Sequence, residues 1–409
     1  MSEVTDSQLS HLRSFAEAAL PDFLADLERL VNIDCGTYSK EGVDEIGRWF
    51  QEQASELGAV LTIELNESLG DTIVATLDGR PGGGSCLLIG HMDTVFPDGT
   101  AAERPFAIAN GRATGPGVND MKAGFLAGVY ALRALRALAT TDAGRMLQTA
   151  DWLPFERLTF VANPDEEIGS PSSTEVISAA ADGVDVCFVL ESARANGDIV
   201  SARKGIADYI IEIEGRAAHA GVEPEKGRSA ILEAAHKTLE LTALNGRWPG
   251  VTVNVGVISG GTRPNVIAER CELEIDLRAT TRADIELAED AITEICARST
   301  VPDVVTTLNR RHRWWPMEKD PQTARLAADA IALAQRIGFE LHDASTGGAS
   351  DANTTSGMGV PTLDGLGPVG GLDHAPGEYT EIDSIVPRVI LLAALLLSAA
   401  RPDADAATA

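Results

Sequence analysis

Between residues 86 and 191 the sequence repeats one pattern, in which a short apolar run is followed closely by a histidine or a glutamate. The runs are Cys-Leu-Leu-Ile before His91, Leu-Thr-Phe-Val-Ala before Glu166 and Glu167, and Val-Cys-Phe-Val-Leu before Glu191. Runs that are apolar throughout are typical of strands buried on both faces. A helical pattern from about Met121 to Leu138 separates the first run from the second. The alternation predicts an α/β sheet with crossover helices.

The side chains that follow these runs are expected to meet. In open α/β sheets, ligands bind beyond the carboxyl ends of the strands, and His91, Glu166, Glu167 and Glu191 all follow strand ends. Asp120 stands directly before the predicted helix, and a second imidazole, His374, follows a glycine-rich stretch near the end of the chain.

These residue types suit a two-metal site. Zinc in hydrolytic sites is held by imidazole nitrogen and carboxylate oxygen, and two ions bridged by one carboxylate can share a water. We expect Asp120 to bridge two Zn²⁺ ions, which Co²⁺ or Mn²⁺ can replace. His91 and His374 would each anchor one ion. Glu167 and Glu191 would complete the ligand set.

The adjacent residues Glu166 and Glu167 are expected to have different roles, because neighbouring side chains in a tight turn point in different directions. We assign Glu167 to a metal ion and Glu166 to general base catalysis on the water. Asp93 lies two residues after His91, where it either orients an imidazole or its neighbours or caps a turn.

No single motif would carry this interpretation, because the chain has 61 acidic residues and an isolated Asp-Glu-Glu is most often a solvated helix start. The conjunction of all five motifs, those around His91, Asp120, Glu166 and Glu167, Glu191, and His374, is what favours a metal site. Glycines beside them, as in Gly-Pro-Gly-Val and Gly-Leu-Gly-Pro-Val-Gly-Gly, allow the close backbone approach that ligand loops need.

The chain of 409 residues is long enough for two domains. Residues 206–317 read as strand, helix, strand, strand, helix and strand, which is the ferredoxin-like order, and none of the five motifs lies among them. We therefore predict a catalytic domain with a mixed sheet flanked by helices, formed by residues 1–205 and 318–409. The ferredoxin-like α+β domain, residues 206–317, is inserted into it.

Composition argues against several partners. A formal charge of −28 would repel nucleic acid and anionic lipid. The longest apolar run, Val389 to Ala400, is shorter than the roughly 20 residues a membrane helix needs and predicts a buried C-terminal helix. Five scattered cysteines suggest no disulfide framework, and the polar, acidic start is unlike an export signal. A cytoplasmic location is expected.

The five motifs together resemble those of the dizinc metallopeptidase and amidohydrolase family that includes glutamate carboxypeptidase, acetylornithine deacetylase, succinyl-diaminopimelate desuccinylase and aminoacylase. The resemblance covers almost the whole chain. It implies a zinc domain interrupted by a lid or dimerisation domain, and hence a homodimer joined through the inserted domain. It also implies that Asp120 bridges the metal ions and that its peptide bond to Met121 is cis.

The resemblance further implies roles for residues that composition would not single out. His219, in Gly-Arg-Ala-Ala-His-Ala-Gly, would reach the partner subunit's site and stabilise the tetrahedral oxyanion. Asn265 and Arg278 would bind substrate, with the guanidinium of Arg278 holding a free carboxylate. Ala349 stands where some carboxypeptidase relatives have glycine, and Glu191 fits the carboxypeptidase and deacylase branches better than the aminopeptidase branch.

The function that follows is hydrolysis of an amide next to a free carboxylate, with release of a C-terminal amino acid, as in glutamate carboxypeptidase. The substrate would be a small peptide or an N-acyl amino acid. The alternative is a deacylase of N-acyl amino acids, such as acetylornithine deacetylase or succinyl-diaminopimelate desuccinylase. A rival of another class is a non-catalytic metal-binding protein, which would have no need of Glu166.

Overall fold

A computed structural model describes residues 4–141 and 152–400 of the chain. The helices are α1 (Asp6–Val31), α2 (Lys40–Leu57), α3 (Thr100–Glu103), α4 (Ala123–Ala139), α5 (Thr174–Ala181), α6 (Ala230–Thr242), α7 (Arg282–Ala297), α8 (Pro321–Ile337), α9 (Ala352–Gly357) and α10 (Ile382–Ala399). The strands are β1 (Val60–Glu64), β2 (Thr72–Asp78), β3 (Ser85–His91), β4 (Ala107–Ala109), β5 (Arg112–Thr114), β6 (Arg157–Asn163), β7 (Val186–Val189), β8 (Ile199–Arg203), β9 (Gly205–Glu214), β10 (Thr252–Gly260), β11 (Arg270–Ala279), β12 (Val305–Trp314), β13 (Asp343–Thr346), β14 (Thr362–Leu363), β15 (Gly370–Gly371) and β16 (Tyr379–Glu381).

The chain divides into two compact units. The first unit comprises Met1–Ser201, Lys319–Ser345 and Ser350–Ala409, and the second comprises Ala202–Glu318 and Thr346–Ala349. These boundaries lie close to the predicted domain limits. They differ in that the short segment Thr346–Ala349 belongs to the second unit, which the sequence patterns did not indicate.

The first unit is built on a six-stranded mixed sheet with the order β1-β2-β6-β3-β7-β14. Strands β6, β3, β7 and β14 run parallel, whereas β2 is antiparallel to both of its neighbours. β3 is buried over nearly its full length, which explains why its sequence is apolar without alternation. The predicted α/β fold class is confirmed.

An aromatic cluster forms part of the core of this unit. Helices α2 and α4 contact each other and the sheet. The ring of Phe50 in α2 lies 5.1 Å from that of Phe125 in α4 and 4.8 Å from that of Phe160 in β6, measured between centroids. Edge-on contacts of this kind favour aromatic packing. The helix that follows the Asp120 loop is therefore packed firmly against the sheet.

Helix α10 is longer than the apolar run predicts, because it begins at Ile382 and includes Pro387. Proline usually ends a helical pattern, so the sequence indicated only the part from Val389 onward. Within the described residues, α10 is the one helix with the length and hydropathy of a membrane span, with a mean hydropathy of 2.0. It contacts α1, α4 and α8, and 67% of it is buried inside the protein, as is typical of a core helix.

The second unit has the predicted ferredoxin-like order, with a four-stranded antiparallel sheet β10-β11-β9-β12. Helices α6 and α7 pack on this sheet and on each other. A fully buried ion pair, Lys237 with Glu233 at 3.1 Å, lies within α6. The carboxylate of Glu233 also accepts hydrogen bonds from the backbone N–H groups of Thr300 and Val301, so its charge is compensated on both sides.

Candidate metal centre

Three adjacent parallel strands carry ligand residues to one edge of the first unit's sheet. β3 lies between β6 and β7, and His91 at the end of β3 pairs in register with Asn163 at the end of β6. Glu166 and Glu167 follow β6 in a short helical turn, and Glu191 follows β7. Because the strands are parallel and in register, their carboxyl ends deliver these side chains to the same place.

The carboxylate of Asp120 lies between two imidazoles. Its Oδ1 is 3.1 Å from Nε2 of His91, and its Oδ2 is 3.1 Å from Nε2 of His374. Asp120 occupies an irregular turn, Val118–Lys122, before α4, and its peptide bond to Met121 is cis, as the resemblance implied. One carboxylate thus presents a different oxygen to each histidine, which is the arrangement expected of a bridging ligand.

Each imidazole also faces a glutamate. Nε2 of His91 is 3.6 Å from Oε1 of Glu191, and Nε2 of His374 is 3.2 Å from Oε2 of Glu167. The backbone of His374 has a φ of 62°, a conformation that favours glycine and is concentrated in functional loops. The structure therefore brings together two sets of donors that share Asp120.

Glu166 reaches the same cluster from the side. Ligand atoms of His91, Glu166 and Glu191 lie within 4.8 Å of one another, as do those of His91, Asp120 and Glu167. The two adjacent glutamates thus belong to different groups of donors. Glu166 is therefore close enough to the donors for the role of general base that was predicted for it from the sequence.

Asp93 contacts several of the predicted site residues and fixes their positions. Its backbone carbonyl lies 3.0 Å from Nδ1 of His91. Because a carbonyl oxygen can only accept, Nδ1 donates there, and Nε2 remains as the nitrogen that faces the other ligands. The carboxylate of Asp93 accepts hydrogen bonds from the backbone N–H groups of Glu166 and Glu167 and from the hydroxyl of Thr37. Asp93 therefore both orients an imidazole and fixes the glutamate turn.

The charges perturb several pKa values. Burial alone would lower the pKa of His91, but Glu191, Asp120 and Asp93 outweigh it and raise the pKa well above its usual value. Hydrogen bonds to Asp120 and Glu167 raise the pKa of His374 to about 10. Burial, together with the charge of Glu191, raises the pKa of Glu166 well above that of an ordinary glutamate. Protons therefore compete with metal ions for the imidazoles, and metal affinity decreases as the pH falls.

The donor set fits divalent cations. Five carboxylates surround two imidazoles, so the cluster stays negative even with both imidazoles protonated, and burying such charge requires compensation. Within the part of the chain that the structure describes, Oε1 of Glu167 is buried and accepts no hydrogen bond. Mixed imidazole and carboxylate ligands favour zinc or a similar transition metal. The residues that would hold the ions are His91, Asp120, Glu167, Glu191 and His374.

Glu378, which no sequence pattern marked as a site residue, connects two ligand loops. Its side chain is buried, and its carboxylate accepts hydrogen bonds from the backbone N–H groups of Gly117, Asn119 and Asp120 at 2.7–3.0 Å. Glu378 lies four residues after His374, so it ties the Asp120 turn to the loop of the second imidazole. A glutamate following His-Ala-Pro-Gly was visible in the sequence, but nothing marked it as buried.

A second group of missed residues fixes the glutamate turn at its base. The buried carboxylate of Asp351 accepts hydrogen bonds from Nδ2 of Asn163 at 2.5 Å and from the hydroxyl of Ser170 at 2.6 Å. Asn163 precedes the turn that carries Glu166 and Glu167, and Ser170 follows it. Burial raises the pKa of Asp351 to about 6. Asp351 thus anchors both ends of the turn.

The other predicted site residues, His219, Asn265 and Arg278, belong to the second unit. His219 is exposed, and the backbone carbonyl of Asn265 accepts a hydrogen bond from the N–H group of Ala220, so the two segments are adjacent. Arg278 donates from Nε to Asp276 at 3.1 Å and from Nη1 to the carbonyl of Gly347 at 2.8 Å. The guanidinium is therefore held in place within its own unit.

Comparison with known proteins identifies one family. Residues 87–398 match the model of Peptidase family M20/M25/M40. Carboxypeptidase G2 of Pseudomonas sp. (strain RS-16) is 30% identical over 92% of the chain and 89% of its own length. Acetylornithine deacetylase of Proteus mirabilis (strain HI4320) is also 30% identical, but over 55% of the chain and 57% of its own length.

Solved structures share the fold. The crystal structure of aminopeptidase PepT from Bacillus cereus ATCC 10987 superposes with a TM-score of 0.72, covering 93% of this chain and 99% of that one at 22% identity. At this identity the likeness is one of fold. It agrees with the confirmed prediction of a mixed-sheet domain interrupted by an α+β insertion.

Replacing Glu378 by glutamine is expected to weaken metal binding about 10–100-fold while the protein stays folded, because one carboxylate oxygen becomes an amide that cannot accept from the loop N–H groups. Zinc affinity is measured by competition with a chromophoric chelator, and folding by circular dichroism. Glu381→Gln is the matched control, because Glu381 pairs on the surface with Arg112 and should leave the affinity unchanged. Wild-type affinity in Glu378→Gln would show that this carboxylate does not position Asp120.

Proposed function

The chain belongs to peptidase family M20/M25/M40, and from that membership we propose that it is a zinc-dependent exo-acting hydrolase that cleaves an amide next to a free carboxylate. The product would be a C-terminal amino acid, as the name of carboxypeptidase G2 indicates for that relative. Membership of this family, together with relatives such as carboxypeptidase G2, identifies the chain as a metal-dependent hydrolase. The preference for a carboxypeptidase reaction is the proposal.

One observation carries the proposal, namely the position of Asp120 between His91 and His374, each 3.1 Å from a different carboxylate oxygen. Such a bridge suits a pair of Zn²⁺ ions better than one ion, and Co²⁺ or Mn²⁺ would fit the same donors. When bound, the ions supply Lewis acidity, which lowers the pKa of a water and polarises the amide carbonyl.

Glu166 is the residue assigned to proton transfer. It lies beside His91 and Glu191, and burial, together with the charge of Glu191, raises its pKa well above that of an ordinary glutamate, which strengthens the carboxylate as a proton acceptor. In the proposed reaction Glu166 accepts a proton from the attacking water and then donates it to the leaving nitrogen. The carboxylate of Asp93 keeps Glu166 in place by accepting a hydrogen bond from the backbone N–H group of Glu166.

Residues of the second unit are assigned to the substrate. Arg278 would bind the free carboxylate, since a guanidinium has five donors and two of them, Nε and Nη1, are already used to fix its orientation. Asn265 would assist it. His219 would donate to the oxyanion that forms when water adds to the carbonyl.

The second candidate is a deacylase of N-acyl amino acids, which would use the same metal ligands and the same base. The identity shared with acetylornithine deacetylase of Proteus mirabilis supports it. The non-catalytic rival is disfavoured because the chain has Glu166 in addition to all five residues proposed as metal ligands.

We further propose a homodimer joined through the second unit, in which His219 serves the partner's site. Two features of that unit support an interface. β10 is an edge strand that carries the exposed side chains of Val257 and Ile258, and α6 exposes Leu232 and Leu239. Unpaired strand edges and exposed apolar side chains favour association.

A cytoplasmic location remains part of the proposal. All five cysteines are buried and none forms a disulfide, which suits a reducing compartment. Substrates would be small molecules. The excess of acidic residues argues against nucleic acid or anionic membranes as partners.

Replacing Glu166 by glutamine should leave metal binding intact but reduce kcat by at least about 10²–10⁴-fold, because the amide cannot accept the proton of water. Metal content is measured by elemental analysis and kcat by release of free amino acid. Glu175→Gln, on the exposed side of α5, is the matched control and should keep wild-type turnover. Retained activity in Glu166→Gln would refute the base assignment.

A substrate panel distinguishes the candidate functions. The metal-loaded and chelator-stripped proteins are assayed with dipeptides, N-benzoyl, N-acetyl and N-succinyl amino acids. Metal-dependent release of glutamate from peptidyl or N-benzoyl glutamate would support the carboxypeptidase, and a preference for N-acetyl or N-succinyl substrates would support the deacylase. No release from any substrate by metal-loaded protein would favour the non-catalytic rival.

The proposed dimer is tested by combining two inactive chains. A heterodimer of Glu166→Gln and His219→Ala, purified through two different tags, contains one site with both residues intact if His219 acts on the partner's site. It should recover about half the activity of the wild-type dimer, whereas each variant homodimer stays inactive. If His219 serves its own chain, both sites are defective and the heterodimer is inactive too.

A further inference from the structure

A cavity of about 470 Å³ opens beside the metal cluster within the first unit. Its walls come from three segments, residues 36–39, 94–98 and 167–168, and Glu167 connects it directly to the ligand set. The volume lies in the range typical of small-molecule sites. None of the roles assigned above uses this cavity.

The walls are fixed in place by the residues that also hold the metal ligands. Asp93 accepts hydrogen bonds from the hydroxyl of Thr37 at 2.6 Å and from the N–H group of Glu167 at 3.2 Å, which joins two walls. The third wall pairs with the first through backbone hydrogen bonds from Thr37 to Thr94 and from Thr94 to Cys35. The cavity is therefore preformed, and its position relative to Glu167 is set by the carboxylate of Asp93, the residue whose backbone carbonyl orients His91.

The cavity collects exposed apolar side chains. Tyr38 is 79% exposed, Val95 is 41% exposed and Ile168 is 38% exposed, and each belongs to a different wall. Phe96 and Pro97 add to the lining. Scattered apolar residues are normal on a protein surface, but their convergence on one concave site beside a metal cluster indicates a ligand that buries them.

The charges of the lining select against anions. Among the described residues of the lining, Asp98 is the charged residue that is not assigned to a metal ion, and none of the lining residues is cationic. A second carboxylate on the ligand would therefore find no cationic partner in the lining and would face Asp98, in a chain whose net charge is already −28. A group as small as acetyl would leave most of the apolar wall in water. The lining favours an uncharged apolar group of several carbon atoms.

We propose that this acyl cavity binds the acyl side of the substrate and that the acyl group is neutral, apolar and larger than acetyl. The inference rests on the proposed function, which assigns the free carboxylate to Arg278 of the second unit and leaves the acyl group to the first. It makes N-succinyl and N-acetyl amino acids poor substrates. The acyl cavity thereby disfavours the small and the anionic acyl groups among the substrates considered under both candidate functions.

The test uses three N-acyl derivatives of whichever amino acid the panel above releases fastest. N-acetyl and N-hexanoyl derivatives differ in apolar length, and N-hexanoyl and N-adipoyl derivatives have the same length but differ in a terminal carboxylate. The hexanoyl derivative is expected to have at least about tenfold higher kcat/KM than the acetyl one, mainly through a lower KM, because its added methylenes become buried. The adipoyl derivative is expected to fall below the hexanoyl one by a similar factor.

Tyr38→Ser is expected to bring the ratio of hexanoyl to acetyl kcat/KM toward one, since it removes the aromatic wall. Its side chain is exposed, so folding is not at risk. Leu65→Ser is the matched control, because Leu65 is 81% exposed in the same unit but does not line the cavity, and it should keep the wild-type ratio. Calorimetric binding of the acetyl and hexanoyl derivatives to metal-loaded Glu166→Gln provides the same comparison without turnover.

The inference fails if acetyl or adipoyl derivatives are preferred, or if Tyr38→Ser and Leu65→Ser have the same ratio as the wild type. Those outcomes leave the proposed hydrolase standing, because turnover would still be measured. Absence of turnover with every member of the panel overturns the proposed function instead, and the inference with it.

Discussion

The repulsion among carboxylates gathered at one sheet edge is the constraint on which this structure depends. Asp93, Asp120, Glu166, Glu167 and Glu191 lie around two imidazoles, and charge of this density in a partly buried site requires compensation by opposite charge. Asp120 connects the two halves of the cluster, because each of its carboxylate oxygens faces a different histidine. In the proposed arrangement the other ligands, His91, His374, Glu167 and Glu191, would complete one ion site on each side of Asp120.

The surrounding structure serves to hold this cluster against its own repulsion. Asp93 fixes His91 and the glutamate turn, Asp351 anchors both ends of that turn, and Glu378 binds three N–H groups of the Asp120 loop. Hydrogen bonds from backbone N–H groups to a carboxylate are charge-assisted and stronger than those between neutral groups. A second layer of carboxylates thus positions the first. The acyl cavity depends on the same layer, since Asp93 also fixes its walls.

The fold and most of the residues in the cluster could be predicted from the sequence, whereas some of the residues that position them could not. His91, Glu167 and Glu191 follow short apolar runs that are typical of buried strands, and the geometry of parallel sheets then places them together. Glu378 and Asp351 could not be predicted, because they act through backbone groups whose positions depend on loops distant in sequence. Tyr38 was equally invisible, since its significance comes from walls contributed by three separate segments. The assignment of Thr346–Ala349 to the second unit likewise depends on tertiary contacts that no local pattern records.

Magnetic coupling between two bound ions tests the central role of Asp120 most directly. The protein is loaded with two equivalents of Mn²⁺ per chain and studied by electron paramagnetic resonance. A carboxylate bridge predicts a spin-coupled pair in the wild type and its replacement by an uncoupled signal in Asp120→Asn. An uncoupled spectrum in the wild type, or binding of a single ion, would contradict the account of a shared carboxylate between two metal sites.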